Sequence, residues 1–361
     1  MDDEMFRIAL RAFVAERVGP HIDAWERAGA YPASLHAEAG AARLLSLGDV
    51  PGPVLPTHQS RMRMLLEEVT CGGSQGLAVG LCSHFVSLSI VASAGADTFG
   101  SVIIDVLAGA RIIALALTEP DAGSDLAALD ARAALGADGV WRITGEKRFI
   151  CNGARADYLV LGARMPDGLG LFLVDQPQAE IVGYPLEPSG WRCLPLAAIR
   201  FANARGRLIA APGRSGRILR DALTRERLNL AISAASAAEA VCAAALKHSR
   251  SRVIRNAPLI AMTHVRQTLA ELHTAVAMAR HLVDRTTVED GEVQVAMAKN
   301  AATSAFALAA QVAVRLQGAA GCVSPSLAER SLRDAPLVAI GGGTTEVMNE
   351  IIARSLERRP I

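Results

Sequence analysis

Between residues 111 and about 213 the hydrophobic pattern changes character, and this constrains the fold more than any other feature of the chain. On either side, apolar residues recur at helical spacing. Inside, they come as short runs separated by Gly, Pro and Asp: Ile112–Leu117, Trp141–Thr144, Tyr158–Ala163, Leu169–Val174 and Ala198–Phe201. Such runs predict a compact antiparallel β domain. The order helices, strands, helices predicts an α+β protein. It has an N-terminal helical domain (1–110), a middle antiparallel β domain (111–214) and a C-terminal four-helix bundle with short extra helices (215–361).

The helical blocks carry their own punctuation. Phe6, Ile8, Leu10, Phe13, Val14 and Val18 share helical periodicity until Gly19-Pro20 interrupts, and a short amphipathic piece through Trp25 follows. Pro32 opens a segment over 33–46, and the three prolines of Gly48 to Pro56 predict a loop. Residues 59–108 predict two or three helices with breaks at Gly72-Gly73 and Gly95. From 216 to 355, breaks are expected at Asn256-Ala257-Pro258, Glu289-Asp290-Gly291, Gly318–Gly321 and Gly341–Gly343.

A length of 361 residues exceeds one ordinary core, and 51% hydrophobic with 20% charged residues implies extensive burial, including subunit interfaces. A net charge of +1 without a basic run gives no footprint for nucleic acid. Six cysteines without a C-x-x-C pair predict reduced thiols and a cytoplasmic location, and the acidic start Met1-Asp2-Asp3-Glu4 lacks a signal-peptide pattern. The apolar runs read as shorter than the ~20 residues a membrane span needs. Histidines 21, 36, 58, 84, 248, 264, 273 and 281 have no metal-ligand spacing and read as surface or packing residues.

Within the β region, Ala114 to Asp125 reads as a buried strand ending in Thr118 and the turn Glu119-Pro120-Asp121-Ala122-Gly123, followed by Ser124 and Asp125. Hydroxyls and free backbone N–H groups at a strand end suit the polar edge of a planar cofactor or a phosphate. By themselves they equally suit an ordinary surface turn. Leu117 to Asp125 resembles the flavin-contacting signature of the acyl-CoA dehydrogenase family. Three further stretches match that family in order: Thr144-Gly145-Glu146-Lys147-Arg148-Phe149-Ile150-Cys151-Asn152-Gly153, then Arg333-Asp334-Ala335, then Gly343-Thr344-Thr345-Glu346-Val347-Met348-Asn349-Glu350. The resemblance runs from about residue 5 to the C-terminus.

This resemblance implies FAD-dependent α,β-dehydrogenation of an acyl thioester, carried on coenzyme A or an acyl-carrier protein. It also implies an electron-transfer flavoprotein or similar acceptor and a homodimer or homotetramer. Many members carry the base immediately before the Gly-Thr of the last motif, where this chain has Gly342. The isovaleryl- and long-chain-type enzymes carry it on a helix within a Glu-Arg-Leu pattern, which Glu226-Arg227-Leu228 matches. Leu219, Leu223 and Leu230 share one helical side, and Glu226 continues their spacing. A carboxylate on an apolar stripe is costly unless paired or functional. Glu226 is therefore the candidate base, or else an ordinary partner of Arg225 or Arg227. Arg227 is the matching active-site support.

The resemblance carries the FAD contacts over singly. Thr118 bonds the ring edge, and Ser124 meets the phosphate region or the thioester. Phe149 packs on the flavin face, and Cys151 stands near flavin N5 where relatives have threonine or serine. Read from the residues alone, Phe149 is a buried strand residue. Thr344 and Glu346 lie toward the adenosine, after the glycine run 341–343. Arg252 is retained, whereas a Phe-Gly pair and a glutamine of the family are replaced by Arg255-Asn256 and Thr263. A second glutamine is replaced by Arg315, shortly before Gly318. Arg255 and Arg315 either supply charge to the phosphates or are solvated helix residues. Two rivals stay open: a flavin monooxygenase or oxidase on the same fold, and a non-catalytic homologue acting as a binding partner.

Overall fold

The structure, a computed structural model, describes residues 2–46 and 59–357. The predicted loop Gly48–Pro56 and His58 lie outside the described residues. The chain divides into two compact units: Met1–Glu68, Leu77–Pro188 and Arg192–Arg225 form the first, and Val69–Gly76, Ser189–Trp191 and Glu226–Ile361 the second.

The first unit opens with helix α1 (Asp3–Phe13), whose Phe6, Leu10 and Phe13 are buried at helical spacing and whose N-cap Asp2 accepts from the Met5 N–H at 2.8 Å. A π-helical turn over Val14–Val18 leads to α2 (Ile22–Ala28), so Gly19-Pro20 interrupts the helix as expected. Then come α3 (Ser34–Ala41), α4 (Gln59–Gly72), α5 (Gln75–Ala92) and α6 (Ala96–Leu107). A Cβ on Gly40 of α3 would lie 2.0 Å from the Ala108 carbonyl oxygen just after α6, so only glycine admits this approach.

Seven strands build the β domain of this unit: β1 (Ile113–Ala116), β2 (Arg132–Leu135), β3 (Trp141–Cys151), β4 (Tyr158–Met165), β5 (Gly168–Asp175), β6 (Ile181–Leu186) and β7 (Leu196–Ala210). The pairing runs β1-β4-β2-β3-β7-β5 and returns from β5 to β4, with β6 on β7. Five of the pairings are antiparallel, but β1–β4 and β2–β4 are parallel, which the antiparallel expectation did not contain. The closed ring β4-β2-β3-β7-β5 has an odd number of strands, so with its other pairings antiparallel the β2–β4 pairing must be parallel. Its core holds Ile143, Leu159, Leu161, Phe172, Val174, Ile199 and Phe201. Alternation hid two strands: β2 buries only Ala133, and the middle of β6 is exposed on both sides.

Helix α7 (Ser215–Ser251) runs from the first unit into the second. A two-strand hairpin, β8 (Val253–Ile254) with β9 (Ala257–Pro258), follows. Then come α8 (Thr263–Asp284), α9 (Gly291–Gln317), α10 (Leu327–Ile340) and α11 (Thr345–Glu357). Helix α9 is the hub: α8, α10 and α11 all pack on it. The breaks fall at the expected glycines, with Gly291 at φ 84° and Gly318 at φ 61°.

One expectation needs correcting. Three helical segments, Gln75–Ala92, Ser215–Ser251 and Val288–Cys322, are long and apolar enough to cross a membrane by length and composition. Alanine and small residues raise their mean hydropathy without an uninterrupted apolar run, and most of the apolar windows in the first two are buried in the protein. None of the six cysteines forms a disulfide. Among the described residues no cluster has the makings of a metal site.

Candidate active site

In the first unit, strand β1 delivers Thr118, and Glu119 then turns inward. Glu119 is buried, and its carboxylate accepts the Asp130 and Ala131 N–H groups. It also pairs at 2.7 Å with Lys147 of β3, a lysine with no exposed surface. Lys147 Nζ donates further to the Leu117 carbonyl at 3.1 Å and the Gly162 carbonyl at 2.7 Å. Desolvation lowers the lysine pKa, and the Glu119 carboxylate opposes that shift. The Arg148 N–H donates to the Thr118 carbonyl at 2.8 Å, which locks the end of β1 against β3. The acid of the turn and the lysine of the second motif are thus one internal brace.

That brace leaves Thr118 half-buried and Ser124 exposed at the turn. Phe149 is 57% exposed, so it is not a buried strand residue. Its backbone lies in the left-handed region at φ 60°, a conformation costly for an aromatic residue. Cys151 ends β3, half-buried, beside Asn152. Asn152 is also left-handed, at φ 58°, and its buried amide joins three elements. It donates to the Gly80 carbonyl at 2.9 Å and accepts from the Tyr31 hydroxyl at 3.0 Å and from Arg155 at 2.7 Å. Asn152→Ala is expected to cost about 3 kcal/mol, because it strands buried donors and places a Cβ residue without amide compensation at positive φ. Urea unfolding checks this. A loss under about 1 kcal/mol would show that the network carries little.

His36 and His84, both buried, stand beside this network with ring centroids 5.7 Å apart. Burial pushes His84 down to about 3, so its imidazole is neutral.

In the second unit, α7 places Glu226 half-buried beside the turn 341–343. Gly342 has φ 65°, and a Cβ there would lie 2.9 Å from Leu230 Cδ1, 3.6 Å from Arg227 Cγ and 3.7 Å from Glu226 Cγ. The position that the resemblance fills with an acid in many members therefore adjoins Glu226. Arg227 Nε donates to the Gly342 carbonyl at 2.9 Å and does not bridge to Glu226. Among the described residues, the Glu226 carboxylate makes no hydrogen bond or ion pair. The ordinary ion pair with Arg225 or Arg227 is therefore absent. Desolvation raises the Glu226 pKa, while the charges of Arg227 and Lys299 hold it down.

Lys299 escaped the reading of the sequence. It lies fully buried on α9, donating to the Ala339 carbonyl at 3.0 Å and the Gly343 carbonyl at 2.8 Å. A signal for it existed: Val295, Ala296, Ala302 and Thr303, its neighbours at helical spacing, are all buried. Thr344 precedes α11, and its hydroxyl holds the exposed Glu346 carboxyl below its ordinary value. Arg252 is exposed just after α7, and Arg315 is exposed in the last turn of α9 before Gly318. Glu226, Arg227 and the 342–344 turn come together. No described hydrogen bond joins Arg252 or Arg315 to them. The motif Arg333-Asp334-Ala335 is a brace: the buried Asp334 accepts the Trp191 N–H at 2.6 Å.

Three family models cover nearly the whole described chain: the acyl-CoA dehydrogenase N-terminal domain over residues 1–98, the middle domain over 114–204 and the C-terminal domain over 215–357. The chain belongs to the acyl-CoA dehydrogenase family. It is 29% identical to the long-chain specific acyl-CoA dehydrogenase, mitochondrial, of Rattus norvegicus, over 98% of this chain and 86% of that protein. A crystal structure ascribed to an acyl-CoA dehydrogenase of Mycobacterium smegmatis is 30% identical with a TM-score of 0.89, covering 99% of this chain and 98% of the other. The acyl-CoA dehydrogenase of Geobacillus kaustophilus is 28% identical with a TM-score of 0.90, covering 98% of each chain.

The family uses FAD. The first unit fits a flavin by an observation of its own: an aromatic ring held outward at a strained backbone, two residues along β3 from the strand end at Cys151. The second unit offers exposed arginines at 252, 255 and 315 for phosphate charge.

Proposed function

We propose that this acyl-CoA dehydrogenase family member introduces an α,β double bond into an acyl thioester, with Glu226 as the base that takes the α-proton. The observation carrying this reading is a carboxylate without a hydrogen bond or ion pair among the described residues, in a partly buried place beside Gly342, the position that the resemblance fills with an acid. Such a group keeps lone pairs available and has a raised proton affinity, which suits proton abstraction at neutral pH. FAD, when bound, supplies the hydride acceptor. Thr118, Ser124, Phe149 and Cys151 would hold its ring end, and Arg252, Arg315, Gly318, Thr344 and Glu346 its adenosine and phosphate end. Arg227 fixes the turn at Gly342 and so keeps the space around the carboxylate.

The substrate is proposed as an acyl-CoA, or the same acyl group on a carrier protein, with an electron-transfer flavoprotein taking the electrons. A homodimer or homotetramer in the cytoplasm, with domains at 1–110, 111–214 and 215–361, completes the reading. The test mixes the FAD-loaded protein anaerobically with short, branched and long acyl thioesters on coenzyme A and on a carrier protein. Bleaching of the flavin is the expected result. No bleaching with any thioester overturns the dehydrogenase reading, and fast aerobic reoxidation after reduction would favour an oxidase.

Stability supplies a second expectation. A folded-state pKa raised above the ordinary 4.5 means the folded chain binds this proton more tightly than the unfolded one. Stability from this group therefore falls as pH rises from the ordinary carboxylate range through the raised value. Glu226→Gln is expected to be about 0.5–1 kcal/mol more stable than wild type at neutral pH. The difference should shrink toward pH 5, as compared in parallel melting curves. A variant less stable at neutral pH would mean that attraction to Arg227 and Lys299 outweighs the desolvation of the carboxylate.

A further inference from the structure

We propose that Lys299 is a positioning residue for Glu226: a buried ammonium that ties down the glycine turn and supplies the positive charge against which the carboxylate stays ionised. This rests on Glu226 acting as the base. The geometry is a three-part cluster. Lys299 Nζ holds the carbonyls of Ala339 and Gly343, Arg227 Nε holds that of Gly342, and Gly342 adjoins Glu226. Two cations therefore hold the end of α10 and the turn that follows it, and that turn lies beside Glu226.

A turn brace alone does not require a charge. An ammonium donates three hydrogens and a neutral amine two, and the turn takes two from Lys299. Either form satisfies both carbonyls. The extra proton is costly in a fully buried place unless an anion offsets it. Glu226 is that anion: its charge supports the ammonium, while burial brings Lys299 down to about 8.

The surroundings leave this coupling of charges intact. From α7, the charges of Glu226 and Arg227 act on Lys299. On α9 itself, Glu292 acts on Arg227. Helix α10 and the turn offer carbonyls, since both acids of α10 are engaged: Asp334 accepts the Trp191 N–H and Glu329 pairs with Arg333. On α11, Glu346 is taken by the Thr344 hydroxyl and Asn349 by Asn300. On α8, Arg280 bonds to Asp284 and Glu239.

The experiment follows flavin bleaching of the FAD-loaded protein against pH for wild type, Lys299→Met, Lys299→Gln, Lys299→Arg and Glu226→Gln. Lys299→Gln keeps two N–H donors without the charge, and so guards against a Met variant that folds poorly. In parallel, infrared titration of protein labelled with carbon-13 glutamate, with Glu226→Gln subtracted, reads the Glu226 carboxyl directly. The acidic limb and the infrared midpoint are expected to move up by about one pH unit in the Met and Gln variants. Well below both midpoints this lowers the rate on the order of tenfold, and raising the pH restores it. Lys299→Arg is expected to leave the limb near its wild-type place.

A uniform loss at every pH with both midpoints unmoved would make Lys299 a turn brace only and overturn the proposal, as would an arginine variant that behaves like methionine. If Glu226→Gln bleaches at the wild-type rate, the base assignment fails instead, and the infrared midpoint still decides whether the two charges are coupled.

Discussion

Glu226→Gln is expected to bleach its flavin with an acyl thioester about 10³-fold more slowly than wild type, in keeping with loss of a positioned general base. The amide matches the carboxylate in size, so packing beside Gly342 survives. It removes the basic oxygen and its negative charge but strands no donor, because no described residue depends on that carboxylate for a hydrogen bond. FAD content should therefore be unchanged, and the visible spectrum of the purified variant tests this before any substrate is added. A slow variant with full flavin content isolates the proton step. A variant that has lost flavin points to a folding role, and equal rates would remove Glu226 from the chemistry. Stopped-flow absorbance under anaerobic conditions separates these results.

Lys147→Met is expected to destabilise the protein by about 3–5 kcal/mol, the range for removing one partner of a buried ion pair. Lys147 has no exposed surface and Glu119 is 6% exposed, so no solvent rescues the abandoned carboxylate. Two carbonyls, Leu117 and Gly162, lose their donor at the same time. For a fold whose whole stability is about 5–15 kcal/mol, this is a large share. Glu119→Gln should cost less, about 1–3 kcal/mol, since one oxygen still accepts an N–H. The double variant Lys147→Met/Glu119→Gln should fall well short of the sum of the two singles, because the second change removes the stranded charge. Urea denaturation of the four proteins measures the coupling. Additive losses would mean that the two residues act separately. Because the brace holds the carbonyl next to Thr118, FAD affinity should weaken in Lys147→Met even where the protein remains folded.

Much of the candidate site was legible in one dimension. Glu226 stood out because a carboxylate on the Leu219, Leu223, Leu230 stripe is costly without a purpose. Gly342 stood out because a glycine occupied a position that the resemblance fills with an acid. Lys299 carried the same kind of signal and was passed over: its helix is so rich in alanine that burial extends around most of its circumference, and one face does not announce itself. For Phe149 only the reading from residue type alone, that apolar residues in strands are usually inside, is overturned. The left-handed backbone that turns it outward has no counterpart in the hydrophobic pattern.

The order of helical and strand segments, their breaks at glycine and proline, and the family were determined by the sequence alone. The order and the breaks depend on local periodicity and turn chemistry, which neighbouring residues express by themselves, and the family on the likeness of four ordered motifs. Tertiary structure decided the parallel pairings of β1 and β2 with β4, because closing a sheet is a condition on strands far apart in the chain. It decided that Glu119 and Lys147, 28 positions apart, form one brace, and that Arg227 bonds the Gly342 carbonyl 115 positions away and leaves Glu226 uncommitted. Which charges are paired and which are left available depends on distance and desolvation in three dimensions, and no spacing along the chain encodes either.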